Sequence, residues 1–342
     1  MRHINTLYSR HFRIGLLVLV VTGLMGCASS RQGSEVIHYP ADISDPYLTL
    51  EQVIEGDQET PKGLLSRFLG FLVGPESKFA LNMPTDMVVD SAGRLLIVES
   101  EAGYISIYTK IEGEWLINDR VSLTEILHPT SIAAGPDRIF VSDLMGGDVQ
   151  ILDYNFNHIG SLKHEAMIRP GGLTYDSFAN HLLIADPPAN RVFVFSPEGE
   201  FVAQIGRTGN SHAQLQSPLA IATDPENGHI YILDGMTRKI KHYDAEYQYV
   251  DGFGEYDQVP GSFAFPKGIA LAVDGTIFVG DAAFGNVQMF DPTGALLFFF
   301  GETGVERGQF LMPRNLFIDS EQRLFVADPY NNRVQIFRYY AQ

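Results

Sequence analysis

Cysteine is nearly missing from this chain: Cys27 is the only one in 342 residues. No internal disulfide can form, so an oxidising compartment would be tolerated but not exploited. Positive charge is also short, with 24 Lys and Arg against 41 Asp and Glu, a formal net of −17 with neutral histidines. A surface of that sign repels phosphate backbones and anionic headgroups, which argues against a nucleic-acid partner. The sequence has no Gly-x-Ser-x-Gly elbow, no His-Glu-x-x-His pair and no phosphate-binding loop. Ten histidines are scattered without ligand spacing, so no metal or other cofactor is expected.

What is plentiful is punctuation. Thirty-three glycines and 18 prolines are spread along the chain, as expected of many short elements joined by tight turns. The start differs. Arg2, Arg10 and Arg13 precede the apolar run "IGLLVLVVTGLMG", which is too short for a comfortable membrane span. A basic start followed by such a core reads as an export signal over residues 1–26, outside the fold.

The run ends in "LMGC", which resembles the lipobox of bacterial lipoproteins: Leu24, Gly26, then Cys27 as the lipidated residue, with Met25 a less usual occupant. An uncleaved anchor helix or an ordinary secretory signal are the alternatives. The resemblance implies more than one acyl chain on Cys27, enough for stable membrane anchoring. Ala28 in place of Asp then favours the outer membrane, facing the periplasm, by the enteric sorting rule. Residues 27–45 would form a tether. Loss of the signal removes three arginines and no acid, leaving a net charge of about −20.

Six segments of the remaining chain align, from "MPTDMVVDSAGRLLIVES" to "MPRNLFIDSEQRLFVAD". Each opens at a proline (Pro84, Pro129, Pro170, Pro218, Pro266, Pro313) and closes on an acid (Glu99, Asp143, Asp186, Asp234, Asp281, Asp328). A third stretch such as "NRVFVF" follows, and in the central copies a fourth such as "GEFVAQIG". Alternating or short fully apolar runs rich in Val, Ile, Phe and Tyr are strand patterning. Four short strands in about 45 residues make one propeller blade, and blades stack around an axis to bury both faces. The expected fold is therefore all-β: a six-bladed β-propeller of four-stranded antiparallel blades beginning near residue 81, within a domain spanning 46–342.

The proline before the first strand, the acid ending the second, and the Asn-Arg-Val of Asn190–Val192 and Asn332–Val334 resemble NHL-repeat propellers. The likeness runs from Met83 to the C-terminus. The sixth copy supplies three strands, so its fourth is expected from "YLTLEQVIEGD", residues 47–57, which would close the ring and protect a sheet edge. Between it and blade one, Thr60-Pro61 and Gly74-Pro75 bracket a predicted amphipathic helix over 61–73, its stripe carried by Leu64, Leu65, Phe68, Leu69 and Leu72. This order of parts resembles a group of bacterial propeller lipoproteins of unestablished activity.

The NHL-type resemblance invites comparison with the peptide-amidating lyase, which holds a catalytic zinc with histidines, some of them directly after the repeat proline. Here those positions are Thr85, Thr130, Gly171, Leu219, Lys267 and Arg314, with His128 and His181 the nearest substitutes. Lactonase-type propellers instead use axial Glu, Asn and Asp. Asp143, Asp186, Asp234, Asp281 and Asp328 recur at one repeat position, so they are expected to cap turns by accepting N–H bonds from the loop that follows. The cluster Asp328–Arg333 repeats Asp186–Arg191 and belongs to the same turn. No catalytic residue is assigned. The candidate ligand or partner mouth comprises Asp86, Thr130, Ser131, Lys267, Arg314 and Asn315. Phe298, Phe299 and Phe300 on an outer strand must leave at least one ring exposed. The expected function is a lipid-anchored, periplasm-facing module that binds or scaffolds another envelope protein. The alternatives are a lyase- or lactonase-like enzyme and a binder of a small molecule or glycan.

Overall fold

The computed structural model describes residues 36–41, 45–55, 80–206 and 211–341. The signal, Cys27 and the helix expected over 61–73 lie outside the described residues. Each repeat forms one antiparallel sheet. Blade one steps outward from Pro84–Val89 through Arg94–Glu99 and Tyr104–Ile111 to Glu114–Ser122. Its second strand is apolar on both faces because a neighbouring blade covers each: Leu95, Leu96, Ile97 and Val98 are wholly buried. Outer strands meet solvent, and there exposed and buried positions mix, as in Phe201–Ile205.

The first strands of the other blades are Pro129–Ala134, Leu173–Asp176, Pro218–Thr223, Pro266–Leu271 and Leu316–Ile318. Successive first strands touch, and the last touches blade one, so the six enclose an axis. Six clusters of buried apolar side chains fill the wedges between adjacent blades. In blades three and six the strand starts three residues beyond the proline, although Gly171 and Arg314 are already bonded to the second strand, at 2.8 and 2.9 Å.

Blade six shows how the ring closes. Its order is Leu316–Ile318, Arg323–Asp328, Arg333–Tyr339 and then Leu48–Glu55. The register pairs Leu48 with Tyr339, Leu50 with Phe337 and Ile54 with Val334, with a bulge between Leu50 and Gln52. Leu48, Leu50 and Ile54 are buried while Glu51 and Glu55 face outward. The sequence placed a tether over 27–45, but the sheet already begins inside it. His38–Tyr39 adds a fifth, edge strand. Tyr39 provides the physical reason: its ring packs 5.1 Å from Phe300, and its hydroxyl donates to the Gly308 carbonyl at 3.1 Å.

Candidate binding site at the axial mouth

The six acids that end the second strands are all buried. Each takes N–H bonds from the segment just ahead of the blade's own first strand. Asp143 accepts from Leu127 (2.8 Å) and His128 (3.0 Å), and Asp281 from Ala264 (2.8 Å) and Phe265 (3.0 Å). Asp186 does so with Ile168 (2.6 Å) and Arg169 (3.0 Å), Asp234 with Gln216 (2.9 Å), and Asp328 with Leu311 (2.8 Å). Several also bind the following turn, as Asp143 does with Met145 and Gly146. The carboxylate thus clamps two loops, one more than the sequence implied. Glu99 takes Asn82 N–H at 2.7 Å but also pairs with Arg120 and Ser106, both at 2.5 Å. Arg333 pairs with Asp328 at 2.9 Å and donates to the carbonyls of Val305, Glu306 and Gln309, each at 2.8 Å. The Asp328–Arg333 cluster therefore holds the linker into blade six.

The mouth residues named from sequence meet at the axis, at the end where the first strands begin. Asp86 is buried, and one of its oxygens accepts from the Ser131 hydroxyl and from Ile132 N–H at 3.0 Å. Its other oxygen accepts from Met87 N–H at 2.9 Å, and the Asn315 side chain reaches the same carboxylate. Ser131 in turn accepts from Leu173 N–H at 3.0 Å. Blades one, two, three and six are thereby joined by one polar knot. Burial pushes the Asp86 carboxyl up to about 6, against the pull of these hydrogen bonds. Thr130 contributes its carbonyl, which accepts from Thr85 at 3.0 Å. Thr85 and Ser100, neither taken for a mouth residue from sequence, latch blade one to blade two: Ser100 donates to the Pro129 carbonyl at 2.5 Å, and the single Thr85 proton is shared between the Thr130 carbonyl and the Ser100 oxygen, 2.7 Å away.

Lys267 and Arg314 stand at the open end of this knot, and no described carboxylate forms an ion pair with either. Burial lowers the Lys267 ammonium, and the neighbouring Arg314 charge lowers it further. Desolvation also lowers Arg314, with Asp86 opposing. Lys267 Nζ sits 3.6 Å from the centre of the Phe265 ring. Two like charges are held together on a strongly acidic protein. An incoming anion would relieve their repulsion.

Around these cations runs an apolar collar. Leu127, Ile168 and Phe265 lie one or two residues before a repeat proline, and Met145, Met236 and Tyr330 lie two residues after a repeat acid. All six are exposed, Leu127 by 74%, Met145 by 70% and Met236 by 67%. The acid clamps place these two loops side by side, as do the bonds from Leu144 N–H to the His128 carbonyl (3.0 Å) and from Ala282 N–H to the Phe265 carbonyl (3.0 Å). Sequence reasoning missed the collar, although the position two after the acid recurs in every repeat. Of the phenylalanine triplet, Phe300 is buried, Phe298 packs 5.3 Å from Tyr47, and Phe299 is exposed.

His128 precedes a first strand while His181 opens a second strand, so they lie at opposite ends of their blades. His181 is hydrogen-bonded to the Tyr247 hydroxyl at 2.9 Å. Among the described residues no three His, Cys, Asp or Glu side chains converge as metal ligands.

A family model described as a 6-bladed beta-propeller matches residues 175–254. No curated protein matches the chain. Among solved structures, an auxiliary nutrient binding protein from Bacteroides thetaiotaomicron is similar at 16% identity and a TM-score of 0.61, over 78% of this chain and 71% of that one. Hydrazine synthase from Kuenenia stuttgartiensis is similar at 12% and 0.55, over 79% and 99%. Virginiamycin B lyase from Staphylococcus aureus is similar at 10% and 0.53, over 76% and 96%. Identities this low speak to architecture alone. Together with the six closed sheets, they establish the chain as a six-bladed β-propeller.

Proposed function

We propose that this propeller is a non-catalytic binding module of the bacterial cell envelope, tethered through a lipid on Cys27 and facing the periplasm; a basic, apolar leader ending in "LMGC" and an acidic mature chain without further cysteine support this reading. Its partner is another envelope protein, bound at the axial mouth. The observation that carries this is the Lys267–Arg314 couple, without an ion-pair partner among the described residues, set inside an exposed apolar collar. Monomeric surfaces rarely leave such apolar groups together without use. The pattern fits a partner segment that presents a carboxylate between apolar side chains: the carboxylate seats on the cations, and its neighbours cover Met145, Met236 and Phe265. The test is co-purification from the native envelope with Lys267→Glu/Arg314→Glu. Recovery of the partner should fall roughly tenfold or more, about 1.4 kcal/mol per tenfold. Undiminished recovery would defeat the proposal.

A further inference from the structure

Blade four brings two histidines together at its end away from the mouth. His229 lies just before the second strand, Ile230–Asp234, and His242 lies on the third, Lys239–Tyr243. The register sets Tyr231 opposite His242, and His242 opposite Asp251 on the outer strand Tyr249–Phe253. His229 Nδ1 lies 2.7 Å from His242 Nε2, and His242 Nδ1 lies 2.9 Å from Asp251 Oδ1. The two histidines are 13 positions apart in the chain, which is why they show no ligand spacing in sequence.

Hydrogen bonding assigns the nitrogens. A carboxylate only accepts, so an uncharged His242 carries its proton on Nδ1 and turns the Nε2 lone pair toward His229. Tyr231 stacks on the His242 ring at 4.6 Å and 6°, which together with Asp251 fixes that ring. A carboxylate behind one nitrogen and a lone pair at the other is the arrangement of a metal-binding imidazole. The main chain of His229 is held, its N–H donating to the Asn227 side chain at 2.9 Å and its carbonyl accepting from Asp224 N–H at 2.8 Å. Its ring makes no other hydrogen bond among the described residues, so it can move its proton to Nε2 and offer Nδ1 to the same point. Metal–nitrogen bonds of about 2.0–2.1 Å place two nitrogens about 2.9 Å apart at a right angle and about 3.3 Å apart at a tetrahedral one. The 2.7 Å separation is nearer the right angle, which suits tetragonal Cu2+ or Ni2+. The surroundings are negative. Burial raises the Tyr231 hydroxyl, and the charges of Asp224 and Asp251 raise it further. Among the described residues no Lys or Arg forms an ion pair with either acid.

We propose that His229 and His242 chelate one divalent late transition-metal ion, Cu2+ most tightly, with water completing the coordination and Asp251 positioning His242. The ion ties the turn that ends at His229 to the third strand of blade four. The site is independent of the partner-binding mouth at the other end of the blades.

The test uses the full chain carrying His3→Ala and Cys27→Ser, so that neither the amino-terminal histidine nor the thiol competes for copper. Calorimetry with Cu2+ should give one saturable site per chain. Electron paramagnetic resonance should give a tetragonal signal split by two imidazole nitrogens. His229→Ala and His242→Ala should each weaken binding at least tenfold. Asp251→Asn should weaken it roughly tenfold or more yet keep the two-nitrogen signal, as expected of a residue that only orients a ligand. His158→Ala, on the outer strand of blade two, should leave the affinity unchanged. The resonance signal of the parent chain decides the matter even where an alanine variant fails to fold. No saturable site, a signal without two nitrogens, unchanged affinity in both histidine variants, or an equal loss in His158→Ala would overturn the proposal.

Discussion

Ring closure by Leu48–Glu55 makes a quantitative demand on one side chain. Leu48 is fully buried and packs in the wedge between blades five and six, in a cluster with Phe278, Phe300, Phe310, Phe337 and Tyr339. Leu48→Ala removes its contacts and leaves a space that rigid aromatic neighbours cannot fill, costing about 2–5 kcal/mol. At roughly 2–4 °C per kcal/mol, the melting temperature should fall by about 4–20 °C. Glu51 supplies the control on the same strand. It faces solvent and pairs with Arg338 at 2.9 Å, with both side chains partly exposed. Such a pair contributes at most about 1 kcal/mol, so Glu51→Ala should melt within a few degrees of the unaltered protein. Thermal unfolding followed by circular dichroism reads both. If Leu48→Ala melts with Glu51→Ala, the strand is not the fastening of the ring.

Three further outcomes follow from the same geometry. Because the folded Asp86 carboxyl lies at about 6, above its ordinary 3.8, the folded protein holds that proton more tightly than the unfolded chain. The stability this confers is fully present below the ordinary value and lost as pH rises through the folded one, so Asp86→Asn should gain up to roughly 3 kcal/mol on the unaltered protein between about pH 4 and 6; parallel denaturant titrations over that range would count against it. A β-carbon at Gly268 would land on the Arg314 carbonyl, whereas one at Gly160 would find its nearest atom 3.9 Å away. Gly268→Ala should therefore lower the denaturation midpoint far more than Gly160→Ala, by about 2 kcal/mol or more. Asp281→Ala removes the buried carboxylate that holds the N–H groups of Ala264 and Phe265 and should cost about 1–3 kcal/mol in urea unfolding.

Much of this fold was legible because the repeat marks its own boundaries. Proline stands at or just before each first strand, and an acid ends each second strand. The closing strand was legible because Leu48, Leu50 and Ile54 carry the fourth-strand pattern without a partner of their own. The edge strand at Tyr39 was not, since two residues make no period and its ring is held by Phe300, more than 250 positions away. That Asp86, Thr130, Lys267 and Arg314 lie at the starts of first strands was legible from repeat position. The polar knot was not, because it depends on Asp86, Ser131 and Leu173 meeting across three blades. The collar was hidden for another reason: Leu127 and Met236 have the composition of core residues, and only the clamped loops place them in solvent.

The most direct test of a partner-binding mouth is site-specific photo-crosslinking in the native envelope, with the reactive side chain placed at position 236 on the collar and, separately, at position 297 on the outer strand of blade five. Both positions are exposed, at 67% and 48%. A discrete protein adduct from position 236 that is absent from position 297, and that disappears in Lys267→Glu/Arg314→Glu, is the expected result. Equal adducts from both positions, or an adduct from position 236 that survives the charge reversal, would contradict it.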